Sequence, residues 1–230
     1  MNDTIVQAAA LIIPLVIAIV FHEVAHGAVA RMLGDPTAAE ANRLSLNPLR
    51  HVDPVGTVIV PGLLALAKAP VFGWAKPVPV DFTRLRNPRA GMAIVAAAGP
   101  MTNFGLGVLG AILLGLLLRI HGGVQAPTGV VGFIAQNLVN FLQINIFLAL
   151  FNLLPIPPFD GSHIVEAALP RPLARGYAAL RQTGFLLVLV VLVVLPWAFP
   201  SFDPVPALVG PPFDWVYGHY LSLASLIAGG

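Results

Sequence analysis

His22-Glu23-Val24-Ala25-His26 lies inside an apolar run from Ile5 to Leu33. On a helix, positions i and i+4 share a face, so both imidazoles can reach a single metal ion. The glutamate beside them is placed to handle the proton of a water activated by that metal. Membrane-spanning segments seldom carry ionisable groups unless those groups have a job. Three together, at metal-ligand spacing, point to zinc hydrolase chemistry inside a bilayer.

Composition agrees with that setting. Of 230 residues, 57% are hydrophobic and only 10% are charged, against about 25% charged in a soluble domain. The mean hydropathy is +0.87. The expected fold is therefore an all-α polytopic membrane protein with the lipid bilayer as its first partner. The net charge of +2 does not imply nucleic acid, because the basic residues follow membrane topology. Cysteine is absent, which excludes a thiol nucleophile, a disulfide framework and a cysteine-ligated zinc. The start, Met1-Asn2-Asp3-Thr4, lacks the positive region of a secretory signal, so the first apolar run is expected to persist as a helix.

A span needs about 20 apolar residues. Four segments qualify: Ile5 to Leu33, Ala90 to Leu118, Val130 to Leu154, and Thr183 to Phe199. The first ends at Gly34-Asp35-Pro36, a helix stop. Val58 to Phe72 is short and interrupted by Pro61 and Gly62. If it does not cross, Arg31, Arg43, Arg50, Lys68, Lys76, Arg84, Arg86, Arg89, Arg171, Arg175 and Arg181 share one face, and only Arg119 of the 12 basic residues lies on the other. That asymmetry marks the shared face as cytoplasmic and makes Val58–Phe72 a re-entrant or interfacial hairpin. The multi-pass chain is thus expected in the cell membrane with its N-terminus outside. The two histidines then fall on the cytoplasmic half, roughly 5–10 Å past the bilayer centre. Arg43–Pro48 alternates polar and apolar residues, and Trp74–Val80 is held extended by its prolines. These pieces are expected to form a small membrane-associated β element. The stretch from Val205 to Gly230 is expected to lie along the interface.

Catalytic zinc usually takes three protein ligands. His22 and His26 supply two, and Asp160 is the best third. It follows Asn152-Leu153-Leu154-Pro155-Ile156-Pro157-Pro158-Phe159 at the end of the third span. The prolines break the helix there, and freed backbone is tolerated at membrane depth where it lines a polar cavity. Gly99, Asn103 and Gly107 repeat at i, i+4, i+8 on the second span. That stripe reads mainly as helix packing, with Asn103 available to bond across to a neighbour. His51 and Asp53 are expected to be solvated or to lie behind the ligands. His163 either orients Asp160 or faces the headgroups.

These residues together resemble the site-2 proteases, zinc intramembrane metalloproteases. The likeness covers about residues 8–170 and rests on the H-E-x-x-H helix, Gly99-Pro100-Met101-Thr102-Asn103, and the Asn-x-x-Pro…Asp-Gly motif. Arg43-Leu44-Ser45-Leu46-Asn47-Pro48 and Gly73-Trp74-Ala75-Lys76-Pro77-Val78-Pro79-Val80 resemble the compact prokaryotic branch, and no PDZ or CBS domain is visible. The resemblance implies that His22, His26 and Asp160 hold one zinc ion per chain and that Glu23 is the catalytic acid/base. It implies a three-helix catalytic core and a transmembrane-helix substrate. Asn152 would assist, either by donating to the developing oxyanion or as a buried amide bonding backbone carbonyls. The expected organisation is one metalloprotease domain over 1–230, with its core at 5–170 and a helix plus interfacial tail at 180–230.

Two rivals remain at this stage. Prenyl-protein-type membrane proteases take a later glutamate as third ligand, and Glu166 is the only one after Glu40. It lacks the further acidic partner that such a helix would show. A non-enzymatic membrane metal-binding or transport protein could use the same His/Glu cluster. Transporters generally show repeated halves, and no such symmetry is visible. A substrate strand could add to Arg43–Asn47 by β-augmentation.

Overall fold

The run that carries the two histidines is α1 (Asn2–Met32) in the computed structural model, which describes residues 2–66, 73–121, 128–199 and 201–230. It stops where the Gly-Asp-Pro signal falls. Gly34 takes a left-handed φ of 109°, and its N–H reaches Arg31 O at 3.1 Å while Asp35 N–H reaches Ala30 O at 2.9 Å. This pairing satisfies the last carbonyls of the helix. A four-residue α2 (Thr37–Glu40) and a π-type turn at Pro54–Ile59 follow, the latter running into α3 (Val60–Leu66).

Pro54 to Leu66 is about 20 Å of helix, too short to cross a core of about 30 Å. The chain also comes back to where it left. Trp74 N–H bonds Gly56 O at 3.1 Å, and Lys76 N–H bonds His51 O at 2.9 Å. The two ends of the hairpin therefore lie on one side, as the charge count required. Residues 67–72, and with them Lys68, lie outside the described residues.

No strand forms among the described residues, so the expected β element is corrected to an extended run over 73–81. The reason is local. Pro77 and Pro79 leave one edge of the run without N–H donors. On the other edge Val78 N–H is taken by the Glu23 side chain, and Asp81 N–H goes to the side chain of Asp35, not to a partner strand. The run is instead tied down one residue in two by side chains and by the hairpin.

Among the described residues, three single helices are long and apolar enough to span: α1 from Ile5, α4 (Pro88–Ile120) and α5 (Gly129–Asn152). Asn87 caps α4 by accepting from Ala90 N–H at 3.3 Å, and Pro88 occupies the first helical position, where its missing N–H costs nothing. α6 (Asp160–Ala168), α7 (Arg171–Ala179), α8 (Arg181–Leu189), α9 (Leu195–Ala198) and α10 (Pro204–Ala228) complete the chain. The expected fourth span, 183–199, is one limb of a helix pair bent by 57° between Arg171–Gly184 and Leu186–Ala198.

Residues 205–230, expected along the interface, instead form α10, which packs lengthwise on α4 and α5. Tyr220 OH bonds Phe104 O at 3.0 Å, and a Cβ on Gly115 would lie 2.5 Å from Ala224 O. Numbers rise together along the two helices, so α10 is parallel to α4. Pro204, 16 residues before Tyr220, projects about 24 Å back toward the N-terminal end of α4. Tyr177 and Gly184 touch Pro155 and Pro157 at the end of α5, on that same side. α10 is a further helix packed on the bundle. Reporter fusions at Arg50 and Arg86 are expected to agree with each other, and a fusion at Gly230 to give the opposite side. Disagreement between the first two would show that the 54–76 hairpin crosses.

Candidate metal centre

α1 presents His22 and His26 one turn apart toward α4, with their Nε2 atoms 3.0 Å from each other. Each imidazole is held by its far nitrogen. His22 Nδ1 donates to Asn103 Oδ1 at 2.6 Å, and His26 Nδ1 donates to Val95 O at 2.7 Å. Both acceptors sit on α4. The rings fit because α4 has Gly99 between them: a Cβ there would lie 2.5 Å from His26 Nε2 and 2.6 Å from His22 Nε2.

Asp160 reaches the same point from the turn that follows α5, at the same end of the bundle. The prolines after Asn152 stop α5 and turn the chain into α6, whose first residue is Asp160. A carboxylate is favoured at that position by the helix dipole. The turn is tight enough to demand the following glycine, since a Cβ on Gly161 would fall 2.2 Å from Leu153 O. Asp160 Oδ2 ends 3.2 Å from His22 Nε2 and 3.4 Å from His26 Nε2.

This arrangement fits a cation. Both Nδ1 atoms are committed as donors, so the neutral rings turn lone pairs toward each other through Nε2. Asp160 Oδ2 is buried without a hydrogen-bond donor. Three acceptors thus converge in a buried site where no proton separates them, which is costly unless a positive charge lies among them. Their separations of 3.0, 3.2 and 3.4 Å match the roughly 3.3 Å between ligand atoms in a tetrahedral site with bonds of about 2.0–2.1 Å. Among the described residues, His22, His26 and Asp160 are the group able to hold a metal ion.

Glu23 leans the other way, onto the extended run. Its Oε2 accepts Val78 N–H at 2.8 Å. The run is held on either side of Val78. Arg43 donates to Lys76 O at 2.7 Å. The fully buried Asp35 carboxylate accepts Asp81 N–H at 2.7 Å. Glu23 is therefore fixed by one oxygen, which leaves Oε1 for proton chemistry.

The remaining candidates divide. Asn152 is the last residue of α5 and donates Nδ2 to Leu148 O at 2.9 Å. Glu166, the rival ligand, pairs with Arg181. His163 Nδ1 accepts from the same Arg181 at 3.2 Å. His51 is buried and donates to Ser45 O at 2.7 Å, while Asp53 caps the π-type turn by accepting from Val55 and Gly56 N–H. The packing stripe on α4 splits by role. Gly107 makes room for Tyr220, but Gly99 and Asn103 face the histidines. Sequence reasoning missed Asn145, on α5, whose Oδ1 accepts from Asn103 Nδ2 at 2.8 Å. A polar residue inside an apolar span was the available signal.

Residues 10–193 match peptidase family M50. The chain is 37% identical over 183 residues to "Putative zinc metalloprotease YwhC" of Bacillus subtilis, a match covering 80% of each chain. It is 32% identical over 173 residues to "Putative zinc metalloprotease Rip2" of Mycolicibacterium smegmatis, covering 75% of this chain and 62% of that one. It is also 32% identical over 150 residues to "Putative zinc metalloprotease MJ0611" of Methanocaldococcus jannaschii, with 64% of each covered. No solved structure matches. The names of these relatives make zinc the metal that the His/His/Asp group would hold, and the family match extends across the histidine helix, α4, α5 and Asp160: this multi-pass membrane chain belongs to peptidase family M50, the site-2 proteases.

Proposed function

We propose that the protein is an intramembrane endopeptidase that hydrolyses peptide bonds in transmembrane segments of membrane proteins. The observation that carries this reading is the placement of three converging metal-ligand atoms on and between span helices, beside a glutamate with one free oxygen. In this reading His22, His26 and Asp160 hold the zinc ion. When bound, zinc acidifies water and polarises a carbonyl. Glu23 takes a proton from the attacking water and returns it to the leaving amine. Val78 N–H keeps Glu23 from swinging away between the two transfers. The amide of Asn152 has a second N–H beyond the one given to Leu148, and it donates to the oxyanion. In this reading the catalytic core is residues 5–170 and the site lies in the cytoplasmic half of the cell membrane, which the positive face supports.

A helix in lipid hides its peptide bonds in its own hydrogen bonds, so the substrate must unwind before it is cut. Cleavage is expected in helices that carry Gly, Asn or Pro near the depth of the site, since each disfavours helix. The test uses purified protein in liposomes with two substrate helices, one with such breakers and one with Leu in their place. Faster cleavage of the first is expected, with cleavage lost to a chelator and restored by zinc. His22→Ala, His26→Ala and Asp160→Ala should each lose most of the zinc. Full zinc in Asp160→Ala would overturn the ligand set, and equal rates for the two helices would overturn the unwinding requirement.

A further inference from the structure

Four groups on three helices form one line of hydrogen bonds that ends on His22. Asn145 of α5 donates Nδ2 to Phe141 O at 2.8 Å. Its Oδ1 accepts from Asn103 Nδ2 of α4 at 2.8 Å. The second N–H of Asn103 goes to Ala18 O of α1 at 3.2 Å. Asn103 Oδ1 then accepts from His22 Nδ1 at 2.6 Å. Both asparagines are completely buried, at 0% exposure.

The direction of this line is dictated by its fixed ends. The carbonyls of Phe141 and Ala18 can only accept. They therefore turn the NH2 groups of both amides toward them, and each amide is left with one orientation. That orientation presents oxygen, not NH2, to His22, so His22 must donate from Nδ1 and keep its lone pair on Nε2. A metal-bound imidazole needs that tautomer, and groups that bond its far nitrogen tune metal affinity.

We propose that Asn145 is a positioning residue for the zinc site. It holds Asn103 the right way round, and Asn103 in turn holds His22 with Nε2 turned to the metal. The other bond to the Asn103 NH2, from Ala18, is the longer of the two, so Asn145 is the tighter anchor. The inference rests on the zinc site proposed above.

The test is zinc affinity, measured by chelator competition on purified full-length protein in detergent. Asn145→Leu is expected to weaken zinc about tenfold, within the range of 10–100-fold seen when groups behind metal ligands are removed. Asn145→Ala, which cannot clash, should do the same, and the isosteric Asn145→Asp, entering protonated in this buried site, should restore most of the affinity. Asn140→Leu is the control. Asn140 bonds Ala10 O of α1 at 2.7 Å and thus ties α5 to α1 as Asn145 ties α5 to α4, but its hydrogen bonds go to Ala10 and Gln136 and not to Asn103. It should lower thermal stability and leave zinc affinity unchanged. In an Asn103→Ala background, Asn145→Leu should add less than twofold, because residues acting through one another do not add. Equal losses in Asn140→Leu and Asn145→Leu, or full additivity with Asn103→Ala, would overturn the proposal. His22→Ala separates the two levels. If it keeps zinc, the site itself is wrong; if it loses zinc while Asn145→Leu binds like the wild type, only the positioning role fails.

Discussion

Glu23→Gln is expected to keep its zinc and to cleave a reconstituted transmembrane substrate about 10²–10⁴-fold more slowly, the range a positioned acid/base contributes. The amide has the shape of the carboxylate. Its oxygen can still accept Val78 N–H, which now lies 2.8 Å from Oε2. The three groups that converge on the metal position do not include Glu23, so the ligand set is untouched. What is lost is the capacity to take a proton from water and to hand one to the leaving amine. Zinc per chain and initial cleavage rate, measured on the same preparation, check both halves. A rate within tenfold of the wild type would remove Glu23 from the chemistry. Loss of zinc would show that it serves the metal instead. The same variant separates a protease from an ion path, because a path lined by these residues would lose metal flux and never cut the substrate.

The histidine helix, its stop at Gly34 and the approach of Asp160 to the two histidines were legible in the sequence for physical reasons. A 3.6-residue period puts His22 and His26 on one face without help from the rest of the fold. The Asp160 turn announced itself through prolines that cannot continue a helix and through the glycine after the aspartate. Same-side placement of the hairpin ends followed from charge, and the backbone bonds from Trp74 and Lys76 agree with it. What could not be read was which neighbour each face meets. Gly99, Asn103 and Gly107 look alike as a stripe, yet one abuts the imidazoles, one bonds His22 and one admits Tyr220. Nothing local distinguishes these partners. α10 escaped for a related reason. Pro211, Pro212, Asp214 and His219 dilute its hydropathy, and only its packing against α4 and α5 reveals it as part of the bundle. The extended run looked like a strand because its residues have β habits, whereas Pro77 and Pro79 close one edge to pairing and the side chains of Glu23 and Asp35 take N–H groups on the run where a partner strand would be needed.

Gly99→Ala is expected to weaken zinc binding at least 100-fold and to lower the stability of the metal-free fold as well. The added Cβ would sit 2.5 Å from His26 Nε2 and 2.6 Å from both Nε2 and Cε1 of His22, well inside van der Waals contact. Side chains can often yield to such an intrusion, but these two rings cannot do so freely. Each is bonded at its far edge, to Asn103 and to Val95 O. Turning either ring away leaves a buried polar group unpaired at membrane depth, where such groups are expensive. The helix itself has no objection to alanine, which is favoured over glycine by about 1 kcal/mol in a helix interior. The clash and the helix term therefore carry opposite signs in a melting experiment on the metal-free protein, and the clash is expected to outweigh the gain of about 1 kcal/mol. Gly105 gives the matched comparison, since it lies on the same helix with nothing within 4 Å of an added Cβ. Gly105→Ala should gain the helix term and keep its zinc. If Gly99→Ala binds zinc within threefold of the wild type, the imidazoles have room that the geometry denies, and α4 is not the wall of the metal site.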